Sequence, residues 1–208
     1  MKRVLSVTCF VLFVCLSALA QEYPMAEVFG GYSYFRADGG GNLHGWNASV
    51  SGNLNSWFGL VADFSGHYDS TSSRTELRFP PFPGFPEIPG FPPVSISVNS
   101  DTSVHTFVAG PRFSYRKKER ITPFAHALFG ASRSHTETEV ILDNGSRTFF
   151  SGNNTSFAAA LGGGLDIELS KNIALRVIQA DYLLTRSFGF NAHNARVSTG
   201  IVFRFGNK

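Results

Sequence analysis

Cysteine is nearly absent from this chain. It has two, Cys9 and Cys15, and both lie in the first twenty residues. Long apolar runs are scarce too. One extends from about Val4 to Leu16, and no later run approaches the roughly 18–20 residues that a membrane helix needs. Charged residues make up only 16% of the chain, and no histidine pair has His-x-x-x-His spacing. These absences argue against a helical membrane protein and against a cysteine or histidine metal site. No cofactor is expected.

The early apolar run has a specific reading. Lys2 and Arg3 give it a basic start, and Ala18-Leu19-Ala20 forms a small-x-small cleavage site before Gln21. Residues 1–20 therefore read as a secretory signal peptide. Cys15 follows Val14, where a lipidation site has a small residue, so lipidation is not expected. Cleavage removes both cysteines, and with them any disulfide. It also removes Lys2 and Arg3, so the formal charge falls from +3 to about +1. Nucleic acid is not an expected partner. The remaining residues 21–208 suffice for one domain.

What the chain does have is phenylalanine and glycine, 21 of each. Both suit membrane strands, phenylalanine on the lipid face and glycine at crowded strand positions and turns. Eight strands can be read by alternation, each near the roughly 9–11 residues a tilted membrane strand requires. They span about 26–36, 42–53, 57–69, 102–116, 121–135, 154–169, 173–187 and the C-terminal segment. The sixth is among the clearest: Phe157, Ala159, Leu161, Leu165, Ile167 and Leu169 oppose Ser156, Ala158, Gly162, Gly164, Asp166 and Glu168. The fifth is the weakest, because His126 shares a face with Phe124 and Leu128. On the seventh, Arg176 falls on the apolar side, near the strand start, where it could snorkel to the interface.

Connections after the second, fourth and sixth strands read as short. Those after the third (70–101) and fifth (137–153) read as long. Barrels of the outer membrane put short turns on the periplasmic side and longer loops outside. The expected fold class is thus all-β: an eight-stranded antiparallel up-and-down transmembrane β-barrel, with both termini periplasmic. A soluble barrel turned inside out also satisfies the periodicity. The signal peptide, the loop alternation and the terminal strand decide against it.

That strand runs Ser198-Thr199-Gly200-Ile201-Val202-Phe203-Arg204-Phe205. Val197, Thr199, Ile201, Phe203 and Phe205 share one face, and Arg196, Ser198, Gly200 and Arg204 the other. Polar, glycine and two aromatics at Ser198, Gly200, Phe203 and Phe205 resemble the C-terminal signal read by the barrel-assembly machinery. With the opening Phe29-Gly30-Gly31-Tyr32-Ser33-Tyr34, the layout resembles small eight-stranded outer-membrane proteins of the OmpA/OmpX type. The resemblance implies a bacterial outer-membrane location, with lipid and lipopolysaccharide as neighbours. A periplasmic anchoring domain, as in the larger OmpA-type proteins, is not expected.

An eight-stranded barrel is just wide enough for its side chains to fill. Inward charges should therefore pair, since isolated ones are costly. Strand adjacency predicts Glu27 with Arg204 and Asp181 with Arg196. Similar depth predicts Arg112 with Asp166 across the lumen. Asp63 and Gln179 complete the expected polar network, which reads as structural.

One segment stands apart. Residues 79–93 repeat Pro-Gly-Phe-Pro twice, a composition that forbids regular strand or helix. Phe79, Phe82, Phe85 and Phe91 in this extracellular loop are candidates for binding a partner. No catalytic residues are assigned. The alternatives are a lipid-modifying barrel enzyme of the lipid A deacylase or phospholipase type, and a narrow channel. For the enzyme, Ser134, His135 and Glu137 supply parts, but no motif of those enzymes is recognisable.

Overall fold

The computed structural model describes residues 23–39, 41–77, 94–116, 120–187 and 190–207. Eight strands are present: β1 (Pro24–Arg36), β2 (Asn42–Asn53), β3 (Phe58–Leu77), β4 (Val94–Ser114), β5 (Ile121–Leu142), β6 (Arg147–Ser170), β7 (Ile173–Ser187) and β8 (Phe190–Asn207). Each pairs antiparallel with its sequence neighbours, and β1 pairs with β8, so the sheet closes in up-and-down order. Closure leaves no unpaired edge around the barrel wall.

Alternation gives every strand two unlike faces. Outward lie Val28, Trp46, Leu60, Phe64, Phe107, Phe129, Phe157, Leu161, Val197 and Phe203, all exposed. Inward lie Glu27, Asn47, Asp63, Arg112, Asp166, Asp181 and Arg196, all buried. The interior is not uniformly polar. Phe35, Leu43, Val61, Val108, Leu128 and Leu183 form one buried apolar cluster, and Phe29, Ala174 and Val202 another.

The closing seam depends on glycine. Gly31 faces Gly200 across β1 and β8, and a Cβ built at Gly200 would stand 2.3 Å from the carbonyl oxygen of Gly30. No side chain fits without moving one strand. Gly200 thus has a steric reason within the barrel, separate from any role in recognition.

The two ends of the barrel differ. At the end that carries the termini, short turns at 54–57 and 171–172 join β2 to β3 and β6 to β7. The Asn55 side chain accepts from the backbone N–H groups of Trp57 (3.0 Å) and Phe58 (2.7 Å), which fixes the first. At the opposite end four strands overshoot. Pairing of β2 with β3 stops at His44 and Tyr68, while β3 continues with β4 to Leu77. Pairing of β6 with β7 begins at Phe157, while β6 pairs with β5 from Arg147. The sheet β3–β4–β5–β6 therefore projects beyond its neighbours by roughly 25–30 Å at about 3.3 Å per residue.

This overshoot corrects the sequence reading. The 70–101 segment is not all loop: 70–77 and 94–101 are strand. Of 137–153, only 143–146 turns, with Gly145 at φ 79° and Asn144 accepting from the Ser146 amide. Ser151-Gly152-Asn153-Asn154 reads as a turn by composition, yet it lies within β6. Polar residues are normal there because neither face of the projecting sheet meets the barrel core, so composition loses its usual meaning. The signal-peptide residues and Phe79, Phe82, Phe85 and Phe91 lie outside the described residues.

Candidate functional site

The lumen holds one connected polar network to which every strand contributes. Glu27 on β1 accepts through Oε2 from Arg112 Nη1 of β4 at 3.1 Å and from Arg116 Nη2 at 3.4 Å. Arg112 Nη2 reaches Asp166 of β6 at 3.1 Å. Asp166 also accepts from Arg176 of β7, at 2.8 Å from Nε. Arg176 donates to Gln179 Oε1 at 2.7 Å, and Gln179 Nε2 donates to Asp181 at 2.9 Å. Asp181 takes Arg196 Nη2 of β8 at 2.7 Å and lies 2.7 Å from His126 Nε2 of β5. Arg196 Nη1 then crosses to Asp63 of β3 at 2.7 Å, which also accepts from Asn47 of β2 at 2.9 Å.

Three expected pairings are among these contacts. Arg112 meets Asp166, and Asp181 meets Arg196. Arg204 Nε lies 3.3 Å from Glu27 Oε1. Neither of those last two atoms is aligned for a hydrogen bond. That contact is an ion pair without hydrogen-bond geometry, and Arg204 makes its hydrogen bond to Glu168, at 2.8 Å. Charges balance across the network: Arg112, Arg116, Arg176, Arg196 and Arg204 oppose Glu27, Asp63, Asp166, Asp181 and the partly exposed Glu168. Balance and mutual hydrogen bonding are what make burial of so many ions tolerable.

Arg176 corrects the sequence reading. It does not snorkel outward but is buried, 2% exposed. Pairing of β7 slips by one residue between Arg176 and Gln179 against β8, and between Leu165 and Asp166 against β6. Val177 is the extra residue of a β-bulge. Val177 and Ile178 consequently both face outward, 42% and 45% exposed. The bulge lets Arg176 and Gln179 point inward although they are an odd number of positions apart. Burial is favoured because Arg176 finds a carboxylate and two aromatic faces. Its guanidinium carbon lies 4.3 Å from the Phe29 ring centroid and 4.4 Å from that of Phe124.

The same stacking explains the weak alternation of the fifth strand. Phe124, His126 and Leu128 are all inward. Phe124 is covered by Arg112 at 4.1 Å on top of its contact with Arg176. Sequence reasoning missed His126, Arg116 and Arg176 as network members. Arg196, assigned from the sequence only to Asp181, also donates to Ser65 at 3.0 Å. Ser198, of the terminal motif, points inward and bonds Ser33 at 2.9 Å, which bonds His67 Nε2 at 2.8 Å. Phe203 and Phe205 point outward.

The candidate hydrolase parts do not assemble. Ser134 and His135 are adjacent on β5 and so point to opposite faces. His135 is engaged by Asn153 at 2.8 Å and Glu137 at 3.1 Å. Among the described residues, no group of three or more His, Cys, Asp or Glu could hold a metal ion.

The outer surface has its own order. Near the terminal end, Trp57 stacks on Phe113 with centroids 6.0 Å apart, and Phe58 lies against both. Toward the other end, outward tyrosines bond outward histidines across strands: Tyr32 to His44, Tyr68 to His105 and Tyr182 to His193. Two aromatic belts enclose the apolar wall, the arrangement found at the two interfaces of a bilayer. Beyond the second belt, the projecting sheet carries Phe149 and Phe150, 71% and 60% exposed.

A profile of the outer membrane protein beta-barrel domain matches residues 6–205. No curated protein matches the chain in sequence. Among solved structures, it resembles Ail, the attachment invasion locus protein of Yersinia pestis, at 18% identity and a TM-score of 0.51, over 89% of this chain and 100% of that one. It also resembles Neisserial surface protein A at 13% identity and a TM-score of 0.50, over 89% of this chain and 100% of that one. At these identities the likeness is one of fold.

Proposed function

Because this chain belongs to the outer membrane protein beta-barrel family, with transmembrane strands, we propose that it is a non-enzymatic, non-conducting barrel that displays a binding sheet outside the cell. The observation that carries this reading is the overshoot of β3–β6 above a filled lumen. A transporter or pore needs a continuous polar path. Here Arg112 and Arg176 occupy the lumen in ion pairs with Asp166, and Arg196 in one with Asp181. The projecting sheet exposes Phe149 and Phe150, and exposed apolar surface often marks an interaction site.

In this reading the projecting end faces the medium and both termini face the periplasm. The turns at 54–57 and 171–172 are periplasmic, as short turns are in this class. Phe79, Phe82, Phe85 and Phe91, in the segment that links β3 to β4 in sequence, are assigned to the same binding role. Ser198, Gly200, Phe203 and Phe205 serve as the terminal strand's assembly signal. The buried network of Glu27, Asp63, Arg112, Asp166, Gln179, Asp181, Arg196 and Arg204 holds the barrel rigid rather than performing chemistry.

Two experiments test this. With the leader removed no cysteine remains, so Ser146→Cys should react with a membrane-impermeant maleimide on intact cells, and Lys171→Cys only after permeabilisation. The reverse pattern would invert the topology. For binding, residues 71–100 can be replaced by an Asn-Gly turn joining the register partners Ser70 and Asp101. Cells bearing this variant should adhere less to immobilised extracellular proteins and polysaccharides. Equal adhesion at equal surface expression would leave only the structural role.

A further inference from the structure

Balance over the whole network conceals an uneven distribution. At the far end of the lumen Arg196 is shared by two carboxylates, Asp63 and Asp181, which also bond Asn47, Gln179 and His126. At the terminal end the ratio is reversed. Glu27 is shared by three guanidinium groups, with Arg112 at 3.1 Å, Arg204 at 3.3 Å and Arg116 at 3.4 Å. Arg112 also meets Asp166, and Arg204 meets Glu168. The short turns fix two of the three at the mouth. Arg116 Nη1 donates to the Ser56 carbonyl at 2.8 Å, and the Arg204 backbone N–H donates to the Asn172 carbonyl at 2.8 Å.

One edge of Arg204 is unlike its counterparts. A guanidinium group offers Nε and Nη2 along one edge, a fork that suits an oxyanion. Arg176 uses that edge to hold Asp166 at 2.8 and 3.1 Å, and Arg196 uses it to hold Asp181 at 3.0 and 2.7 Å. In Arg204 neither Nε nor Nη2 makes a hydrogen bond among the described residues, although the side chain is only 4% exposed. Beside this edge Glu27 Oε1, equally buried, accepts none. A buried donor edge and a buried acceptor therefore lie side by side. Leaving both unmet costs free energy in a place removed from water. Glu168, partly exposed on the remaining nitrogen of Arg204, sets the point just inside the opening.

We propose that this point binds inorganic phosphate in a protonated form. Two phosphate oxygens accept from Nε and Nη2 of Arg204, and a P–OH group donates to Glu27 Oε1. Three requirements converge on that ligand. It must be an anion, because three guanidinium groups share the Glu27 carboxylate. It must present two acceptors to the arginine fork, which oxyanions do and chloride does not. It must also carry a donor, because the group beside the fork is a carboxylate oxygen. Phosphate keeps at least one proton at neutral pH and meets all three. Sulfate, fully deprotonated, fails the third. Water matches the hydrogen-bonding pattern but brings no charge. In the topology proposed above this mouth opens to the periplasm, and the binding chemistry holds in either orientation.

The test uses the refolded full barrel in neutral detergent and phosphate-free buffer. It is titrated with sodium phosphate or sodium sulfate at constant ionic strength and read by calorimetry. Wild type should bind phosphate saturably and sulfate about tenfold or more weakly, since a site that pairs a ligand hydroxyl rejects an analogue without one. Arg204→Gln should abolish phosphate binding. Glu27→Gln, which puts an amide donor beside the arginine fork, should bring the phosphate-to-sulfate ratio close to one. Glu168→Gln frees Arg204 of a competing carboxylate and should bind phosphate more tightly than wild type. Arg147→Gln, on the projecting sheet, should bind as wild type. Unchanged heat-modifiable migration certifies the folding of each variant. If Arg204→Gln does not fold, the changed ratio in Glu27→Gln and the tighter binding in Glu168→Gln decide the matter, because a purely structural role moves neither. Absence of saturable phosphate binding by wild type would overturn the site and leave water between Arg204 and Glu27. Equal affinity of wild type for phosphate and sulfate would mean an adventitious ion only and overturn the assignment. Undiminished phosphate binding by folded Arg204→Gln would overturn it as well.

Discussion

Each inward side chain is defined by its partners rather than by its own character. Arg196 is the clearest case. It is fully surrounded, and it alone neutralises both Asp63 and Asp181 across the lumen. Removing it leaves two buried carboxylates facing one another with only Asn47, Gln179 and His126 nearby. Arg196→Met should therefore lower unfolding stability in lipid vesicles by about 3–5 kcal/mol, the usual cost of stranding a buried charge. Adding Asp63→Asn and Asp181→Asn to that variant should recover most of the loss, because the charges are then gone rather than unpaired. Urea-driven unfolding checks both, and a single-variant loss under about 1 kcal/mol would mean the network adds little. Alternation made most of these residues legible. Glu27, Asp63, Arg112, Asp166 and Asp181 stand on polar faces of regular strands. Arg176 was not legible, because the register slip that turns it inward leaves no mark in composition. Phe124 was obscured for a different reason: an arginine-lined lumen accepts aromatic rings as partners, so apolar does not mean outward.

At the scale of the element, strand identity was more readable than strand length. All eight strands follow from periodicity, and the short turns at one end follow from their residues. The overshoot of β3, β4, β5 and β6 was hidden because serine, threonine and asparagine in 70–77 and 147–156 resemble loop composition. Outside the membrane both faces of a strand meet water, and the hydrophobic alternation that reveals a strand has no cause. The bulge in β7 makes its own prediction. Deleting Val177 removes the extra residue and restores simple alternation, with Arg176 and Gln179 still inward. That variant should fold and keep heat-modifiable migration. Deleting Tyr182 instead should reverse the faces of Leu183–Ser187 and prevent folding, since a one-residue slip exchanges core and lipid sides. Equal behaviour of the two deletions would argue against the bulge.

For the whole molecule, three regions have separate physical roles. The outer wall is apolar and ringed by two aromatic belts, which suits lipid. The lumen is filled by paired charges and by the cluster of Phe35, Leu43, Val61, Val108, Leu128 and Leu183. The projecting sheet is neither, and the proposed function assigns recognition to it. These roles are consistent with one another, since a rigid, closed barrel is a good support for a surface that must stand away from the membrane. The central claim is that the lumen is a plug. Incorporation of the refolded barrel into planar lipid bilayers tests it most directly. The account predicts no stepwise ion conductance above the bare membrane at neutral pH, under voltages at which a porin conducts. Reproducible unitary currents from verified, oriented insertions would contradict it.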